Sequence, residues 1–176
     1  ALGRMGETWP NPAVGCVIVK DGEVLSEAVT APGGRPHAEE QAVPAAGPEA
    51  LATADTVVIP GTRFPSARRD GVLTPQASAA LDLIRPGTRM MSICTGAFVL
   101  AAMGILDGRP ATTHWKFAED LRRLHPLVEV DENVLFVDDG DVLTSAGLAA
   151  GIDLCLHVIR SDHGVQVANA VARNCV

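Results

Sequence analysis

At 176 residues, with a net charge of −7 and no cluster of Lys and Arg, the chain is long enough for one substantial domain or two very small ones and argues against a nucleic-acid surface of its own. Its 47% hydrophobic content is ordinary for a globular protein, its apolar runs are too short to span a membrane, and its N-terminus lacks the basic-then-apolar pattern of a secretion signal. With no Tyr, four Phe and two Trp, the core must be Val, Leu, Ile and Ala, which suits a parallel sheet covered by helices; Cys16, Cys94, Cys155 and Cys175 form no Cys-x-x-Cys pair, so a reducing cytoplasm is the expected compartment.

In chain order, residues 1–9 read as a short helix ended by Pro10 and Pro12. Ala13–Val19 and Val24–Thr30 read as two strands returning through Lys20-Asp21-Gly22-Glu23. His37–Val43 and Pro48–Ala54 are expected as short helices. From Asp55 the pattern changes to alternating strand and helix. Thr56–Ile59 is a strand, 62–74 a polar Arg-rich loop, and Pro75–Ile84 a helix with Gly87 just beyond it. Arg89–Ile93 is a strand and Thr95–Met103 a helix. A short strand at Ala111–Thr113 precedes an amphipathic helix at Lys116–Leu124. Glu129-Val130 and Leu135–Val137 read as strands flanking an acidic turn. After the turn at Asp138–Asp141 come a strand at Val142–Thr144, a long helix at Ala146–Asp162 and a last helix at Val165–Cys175.

The stretch Met90-Met91-Ser92-Ile93-Cys94-Thr95-Gly96-Ala97-Phe98 is the most informative. A strand turning sharply into a helix lifts the side chain at the turn out of the sheet and aims the first helical N–H groups at it, so a thiol there is favoured as thiolate. Twenty positions on, Ala111-Thr112-Thr113-His114-Trp115 supplies an imidazole partner in His114. Thr95 and Gly96, with Gly61 at the end of the preceding strand, offer backbone donors for an oxyanion-type pocket. Each has a plainer reading: a buried small thiol for Cys94, a structural ring for His114. Trp115 reads as a packing residue, His157 as a core or interface histidine, and Asp138, Asp139 and Asp141 as a solvated turn rather than a calcium loop.

Four stretches carry a resemblance: Ala54–Gly61; Ser92–Phe98; Leu106-Asp107-Gly108-Arg109 running into Ala111–Trp115; and Leu143–Gly147 running into Gly151–His157. Through them residues 54–176 resemble the ThiJ/PfpI superfamily, and within it the ligand-sensing domain of AraC-type transcription regulators. The resemblance implies a three-layer α/β/α sandwich with a mostly parallel sheet, a small-molecule ligand at Cys94, no cofactor, and a homodimer. The Cys-Thr-Gly and Thr-Thr-His-Trp pair also resembles isonitrile hydratases, which implies a cysteine-dependent hydratase or hydrolase as the alternative.

Residues 1–43 resemble a different family. Asn11–Val19 and Gly33-Gly34-Arg35-Pro36-His37-Ala38-Glu39 resemble the start of the deaminase domain of the riboflavin-biosynthesis deaminase-reductase. In that family the His ligates zinc and the Glu shuttles protons. The Cys ligands expected after the next strand are absent, since Pro60-Gly61-Thr62-Arg63 stands there, so His37 and Glu39 read as vestigial, with no metal. The chain is therefore expected to be one hybrid domain, natural or engineered, joined across residues 44–53. Its antiparallel N-terminal hairpin should sit at one edge of the sheet, and the ThiJ/PfpI part should lack its usual first strand and acidic residue. The regulator's helix-turn-helix is not expected within the sequence, so no DNA binding by this chain alone is anticipated. An inactive scaffold and, least favoured, a zinc deaminase complete the alternatives.

Overall fold

The computed structural model describes residues 15–20, 23–29, 31–32, 50–61, 66–147 and 149–173. Strands β1 (Gly15–Lys20) and β2 (Glu23–Val29) pair antiparallel, with a bulge between Ile18 and Val19. The expected hairpin is therefore present, but it forms a two-stranded sheet of its own and does not extend the main one. The chain divides into two compact units, Ala1–Ala54 with Ala80–Arg85, and Asp55–Ala79 with Pro86–Val176. Within the first, the helix expected at Pro48–Ala54 is, from residue 50 on, only a turn closed by Thr53 N–H on the Ala50 carbonyl (3.2 Å), and Arg85 donates to the Thr53 carbonyl at 3.3 Å. The helices expected at 1–9 and 37–43 lie outside the described residues.

The second unit holds β3 (Thr56–Ile59), β4 (Arg89–Ile93), β5 (Pro110–Ala111), β6 (Glu129–Val130), β7 (Phe136–Asp139) and β8 (Val142–Ser145). The main sheet runs β3-β4-β8-β7, with the first three strands parallel and β7 antiparallel at the edge. A tight turn at Gly140, whose φ of 78° suits glycine, returns β7 into β8. The α-helices among the described residues are α1 (Pro75–Leu81), α2 (Ala97–Ala102), α3 (Ala118–Leu124), α4 (Ala149–His163) and α5 (Val165–Arg173).

Burial explains why β4 and β8 read as continuous apolar or small-residue runs. Met91 and Leu143, neighbours in register, pack with Leu154 of α4, and Phe136 and Val158 close over them. The residues that alternate with these, Met90, Ser92 and Thr144, are buried too, so both faces of the sheet are covered. In α2 five of six side chains are buried, from Ala97 to Ala101. The molecule is thus α/β with a mostly parallel sheet, as expected.

Several local expectations change. The loop 62–74 contains a π-helical turn at Ser66–Asp70. Strand β6, whose partner the sequence leaves open, pairs parallel with β5, and Glu129 N–H reaches the Arg109 carbonyl (3.0 Å). The long helix starts at Ala149 rather than Ala146, because Ala146 N–H is taken by the Leu135 carbonyl (2.8 Å) and its own carbonyl by Cys94 N–H (3.2 Å). His157 is no core residue: its Nε2 meets Asp138 Oδ2 at 2.6 Å, joining α4 to β7. That contact, with the Gly140 N–H, holds the Asp138 carboxyl below the usual carboxylate range. A bidentate pair from Arg89 to Asp162 (2.6 and 2.9 Å) ties the start of β4 to the end of α4.

His125, at the end of α3, has a buried Nε2 without a hydrogen-bond partner, packed beside Gly71. Burial pushes its pKa down, against a smaller opposing pull from Asp107. A histidine held neutral in the fold contributes stability that is complete above its unfolded value of about 6.5 and is lost as pH falls through the depressed folded value. Between neutrality and about pH 5 the thermal midpoint should therefore fall, and His125→Phe, which keeps a ring and removes the titrating nitrogen, should flatten that slope. Differential scanning calorimetry across pH, with both proteins in one buffer series, measures the difference; equal slopes would refute it.

Candidate functional site

β4 is an interior strand of a parallel sheet, and its carboxyl end is where α/β folds gather ligands. The extended run Arg89–Ile93 stops there, and the chain turns at the next residue. Cys94 has φ 56°, and it is the non-glycine residue with positive φ among those described. The chain then turns as a 3-10 helix at Cys94–Gly96 and runs on as α2. Left-handed backbone costs an L-residue about 1–2 kcal/mol, so neighbours must hold it in place.

Those neighbours come from three directions. Cys94 N–H donates to the Ala146 carbonyl just past β8 (3.2 Å). The Cys94 carbonyl accepts from Ala97 N–H and from Thr113 Oγ1, the latter at 2.8 Å. Gly61, past the end of β3, lies alongside: a Cβ there would sit 3.4 Å from Cys94 Cβ and 3.8 Å from Sγ. Cys94 is half-buried with a free thiol, and Gly61 beside it is exposed.

Gly96 is where backbone meets backbone. A Cβ on Gly96 would collide with the Ile59 carbonyl oxygen and press on that of Pro60, so the start of α2 nests directly on the end of β3. This close approach sets Gly61, Cys94, Thr95 and Gly96 side by side. Thr95 and Gly96 are both buried.

His114 follows β5 and caps the short 3-10 turn Trp115–Phe117 that leads into α3. Its Nδ1 accepts the Lys116 N–H at 3.2 Å, so the neutral ring carries its proton on Nε2. The ring lies over Gly147, where a Cβ would collide with Cδ2 and stand 3.0 Å from Nε2. Among the described residues no hydrogen bond joins the ring to Cys94 Sγ. The link between the two runs through the chain: Thr113, next to His114, holds the Cys94 carbonyl, and Ala146, next to Gly147, holds the Cys94 N–H. Trp115 is 72% exposed and stacked on His114 (centroids 5.8 Å apart), which corrects its reading as a packing residue. Phe117 also touches His114, and the Arg68 guanidinium lies 5.0 Å from the Phe117 ring centre.

Five hydroxyl side chains on these strands and the segments that follow them are buried: Ser92, Thr112, Thr113, Thr144 and Ser145, none more than 1% exposed. Thr144 Oγ1 accepts the Thr112 N–H (2.8 Å), while Ser92 Oγ has no partner. The sequence reading missed Thr113 and Gly147 as working residues, although both stand inside stretches that drew attention. The signal available was polar residues at positions where an apolar core was due. His37 and Glu39 lie outside the described residues, and among those described no group of three or more His, Cys, Asp or Glu could hold a metal ion. No helix among them is long and apolar enough to cross a membrane.

Comparison with known proteins places this geometry in a family context. The model of the DJ-1/PfpI family matches residues 27–161, starting inside the segment that resembles the deaminase. The HTH-type transcriptional regulator CdhR of Pseudomonas aeruginosa is 43% identical over 94 residues, 53% of this chain and 28% of that protein. Isonitrile hydratase of Pseudomonas putida is 41% identical over 80 residues, 46% of this chain and 34% of the enzyme. Riboflavin biosynthesis protein RibD of Escherichia coli is 56% identical over 43 residues, 24% of this chain and 12% of that protein. These matches thus span about a third or less of each curated relative. In fold, the chain is similar to the crystal structure of an AraC family transcriptional regulator from Pseudomonas putida, with a TM-score of 0.55 and 23% identity, covering 74% of this chain and 68% of that one.

Two glycine substitutions test the geometry. Gly96→Ala sets a methyl against backbone that cannot step aside, and should cost about 1–3 kcal/mol in urea unfolding. Gly147→Ala should displace the His114 ring instead. In 15N-histidine spectra the wild-type ring should show the Nε2–H tautomer, and the variant should lose that signature while staying folded.

Proposed function

The chain belongs to the DJ-1/PfpI family, and from that premise we propose that it is the small-molecule-sensing part of an AraC-type transcription regulator, with its ligand seated at Cys94. The observation that carries this reading is the left-handed Cys94 beside Gly61 at the end of an interior strand. Such a residue is held at a cost that packing alone does not require. In this reading Cys94 touches the ligand. His114 presents its Nε2–H, and Gly61, Thr95 and Gly96 present backbone N–H groups, a set of donors suited to an oxygen-bearing small molecule. No cofactor takes part. The 43% identity to a transcriptional regulator supports the assignment over one drawn from fold alone.

A second reading is a cysteine-dependent hydratase or hydrolase, favoured by the 41% identity to isonitrile hydratase. Cys94 would then be the nucleophile and His114 its partner. The Nδ1 cap on Lys116 argues against it, because His114 could take a proton only through Nε2, which the neutral tautomer already protonates.

The reading includes a homodimer in a reducing cytoplasm, which sedimentation of the purified chain checks for association. It also takes the segment before about residue 43 as deaminase-derived, supported by the match to RibD over 43 residues. Zinc deamination would require stoichiometric metal with His37 as ligand, and metal analysis of protein purified without chelators should find none.

A thermal-shift screen of small polar metabolites and an alkyl isonitrile separates the readings. Sensing predicts a saturable rise in midpoint without product, worth about 2.7 kcal/mol at a hundred times Kd, and abolished by Gly61→Val, which sets a branched side chain against Cys94. Product formation that disappears in Cys94→Ala would establish the hydratase instead. A ligand response that Gly61→Val leaves intact would place the ligand away from Cys94.

A further inference from the structure

We propose that Thr113 is the positioning residue of the Cys94 site, its buried hydroxyl holding Cys94 in the left-handed conformation that presents Sγ beside Gly61. The inference rests on the reading of Cys94 as the residue that meets the ligand.

The argument is torsional. The φ of Cys94 is the angle between the peptide plane that carries its N–H and the bond to its own carbonyl carbon. On the first side, the N–H is anchored to the Ala146 carbonyl, beyond the end of β8. On the second, the carbonyl accepts from Ala97 N–H and Thr113 Oγ1. The Ala97 bond belongs to the helical turn itself and moves with it. Thr113 comes from a different element, just past β5, and fixes that carbonyl against the rest of the unit. With both planes pinned by separate strands' ends, φ 56° is the value left to Cys94.

Thr113 is built for this. It is 0% exposed, so bulk water does not compete for its hydroxyl, and at 2.8 Å the bond to the carbonyl has the usual length of a well-formed O–H···O bond. Its β-branch restricts χ1, so the hydroxyl is aimed before the bond forms. The adjoining Thr112 is held by a separate bond, Thr112 N–H to Thr144 Oγ1 (2.8 Å), which ties this segment to β8. The Thr113 hydroxyl bonds the Cys94 backbone carbonyl, so its effect on the site passes through Cys94.

The test uses the whole chain labelled with 13C-cysteine, with the Cys94 resonances assigned by their loss in Cys94→Ala. The variants are Thr113→Val, which keeps shape and removes the hydroxyl, and Thr113→Ser, which keeps the hydroxyl. Thr113→Ala replaces the valine variant if that fails to fold by its thermal midpoint. Two readouts are taken: the Cα and Cβ shifts of Cys94, which report φ and ψ, and the iodoacetamide rate at Cys94, read by mass spectrometry with Cys155 as internal reference. Removing the hydroxyl should move the Cys94 shifts out of their left-handed positions and slow its alkylation about three- to tenfold, the factor that a hydrogen bond of ordinary net strength represents. Cys155 should keep its rate, and Thr113→Ser should match the wild type. A folded hydroxyl-free variant with unchanged Cys94 shifts and rate would overturn the proposal. So would a serine variant that behaves like valine, because the methyl and not the hydroxyl would then be the cause. Neither readout needs the natural ligand, so a failed metabolite screen would count against the sensing reading and leave this result standing.

Discussion

One backbone torsion organises the site. Cys94 must leave β4 and enter a helix within a single residue, and only the left-handed region makes that corner so tight. The about 1–2 kcal/mol this costs is offset by contacts distributed over the unit: the Ala146 carbonyl after β8, the Thr113 hydroxyl after β5, and the seat of Gly96 on the end of β3. The Ala146 carbonyl and the seat of Gly96 lie at the carboxyl ends of β8 and β3, which the main parallel sheet places on the same side as the end of β4, while Thr113 reaches Cys94 from the end of β5, outside that sheet.

Close approach is the second constraint, and it depends on missing side chains. Gly96 lets α2 touch the backbone of β3, Gly147 leaves room for the His114 ring, and Gly151 brings α4 against Ile93. A Cβ at any of the three would meet atoms closer than van der Waals contact allows. At Gly96 the obstacle is backbone; at Gly147 it is a ring that can swing, and at Gly151 a side-chain methyl. The first thus governs whether the helix docks, the second where an imidazole points, and the third how tightly α4 lies on the sheet.

How far the sequence discloses this structure depends on the range of each interaction. Strands β3, β4 and β6 are legible to the residue, because short β-branched or apolar runs with turn residues at both ends are local signals. The elbow is legible as well: an apolar run, then Cys-Thr-Gly, then small and apolar residues at helical length. Pairing is not. Glu129-Val130 reads as a strand beside an acidic turn, and nothing local names its partner, Pro110-Ala111. The start of α4 shifts from Ala146 to Ala149 because both polar groups of Ala146 are claimed by distant chain. Thr113 illustrates the remaining gap: its position in a motif is visible, and the acceptor of its hydroxyl nineteen residues away is not. His157 is similar: it reads as a core or interface histidine, and its carboxylate partner on β7 exists only once the sheet has formed.

The arrangement around His114 bears on binding against turnover. A ring that shuttles protons needs one nitrogen free to gain a proton and both states to fit. Here Nδ1 is spent on capping the turn before α3, and protonating it would leave the Lys116 N–H without its acceptor. A cap of this kind is worth about 1 kcal/mol, and losing it would loosen the segment that also carries Thr113. The ring is therefore a fixed donor through Nε2, seated against Gly147 and flanked by Trp115 and Phe117. In the proposed site, a fixed donor beside a held thiol would meet an acceptor without needing to exchange a proton with it. In the proposed site this rigidity is useful to a sensor, because a ligand's binding energy is then not spent on ordering the groups that contact it.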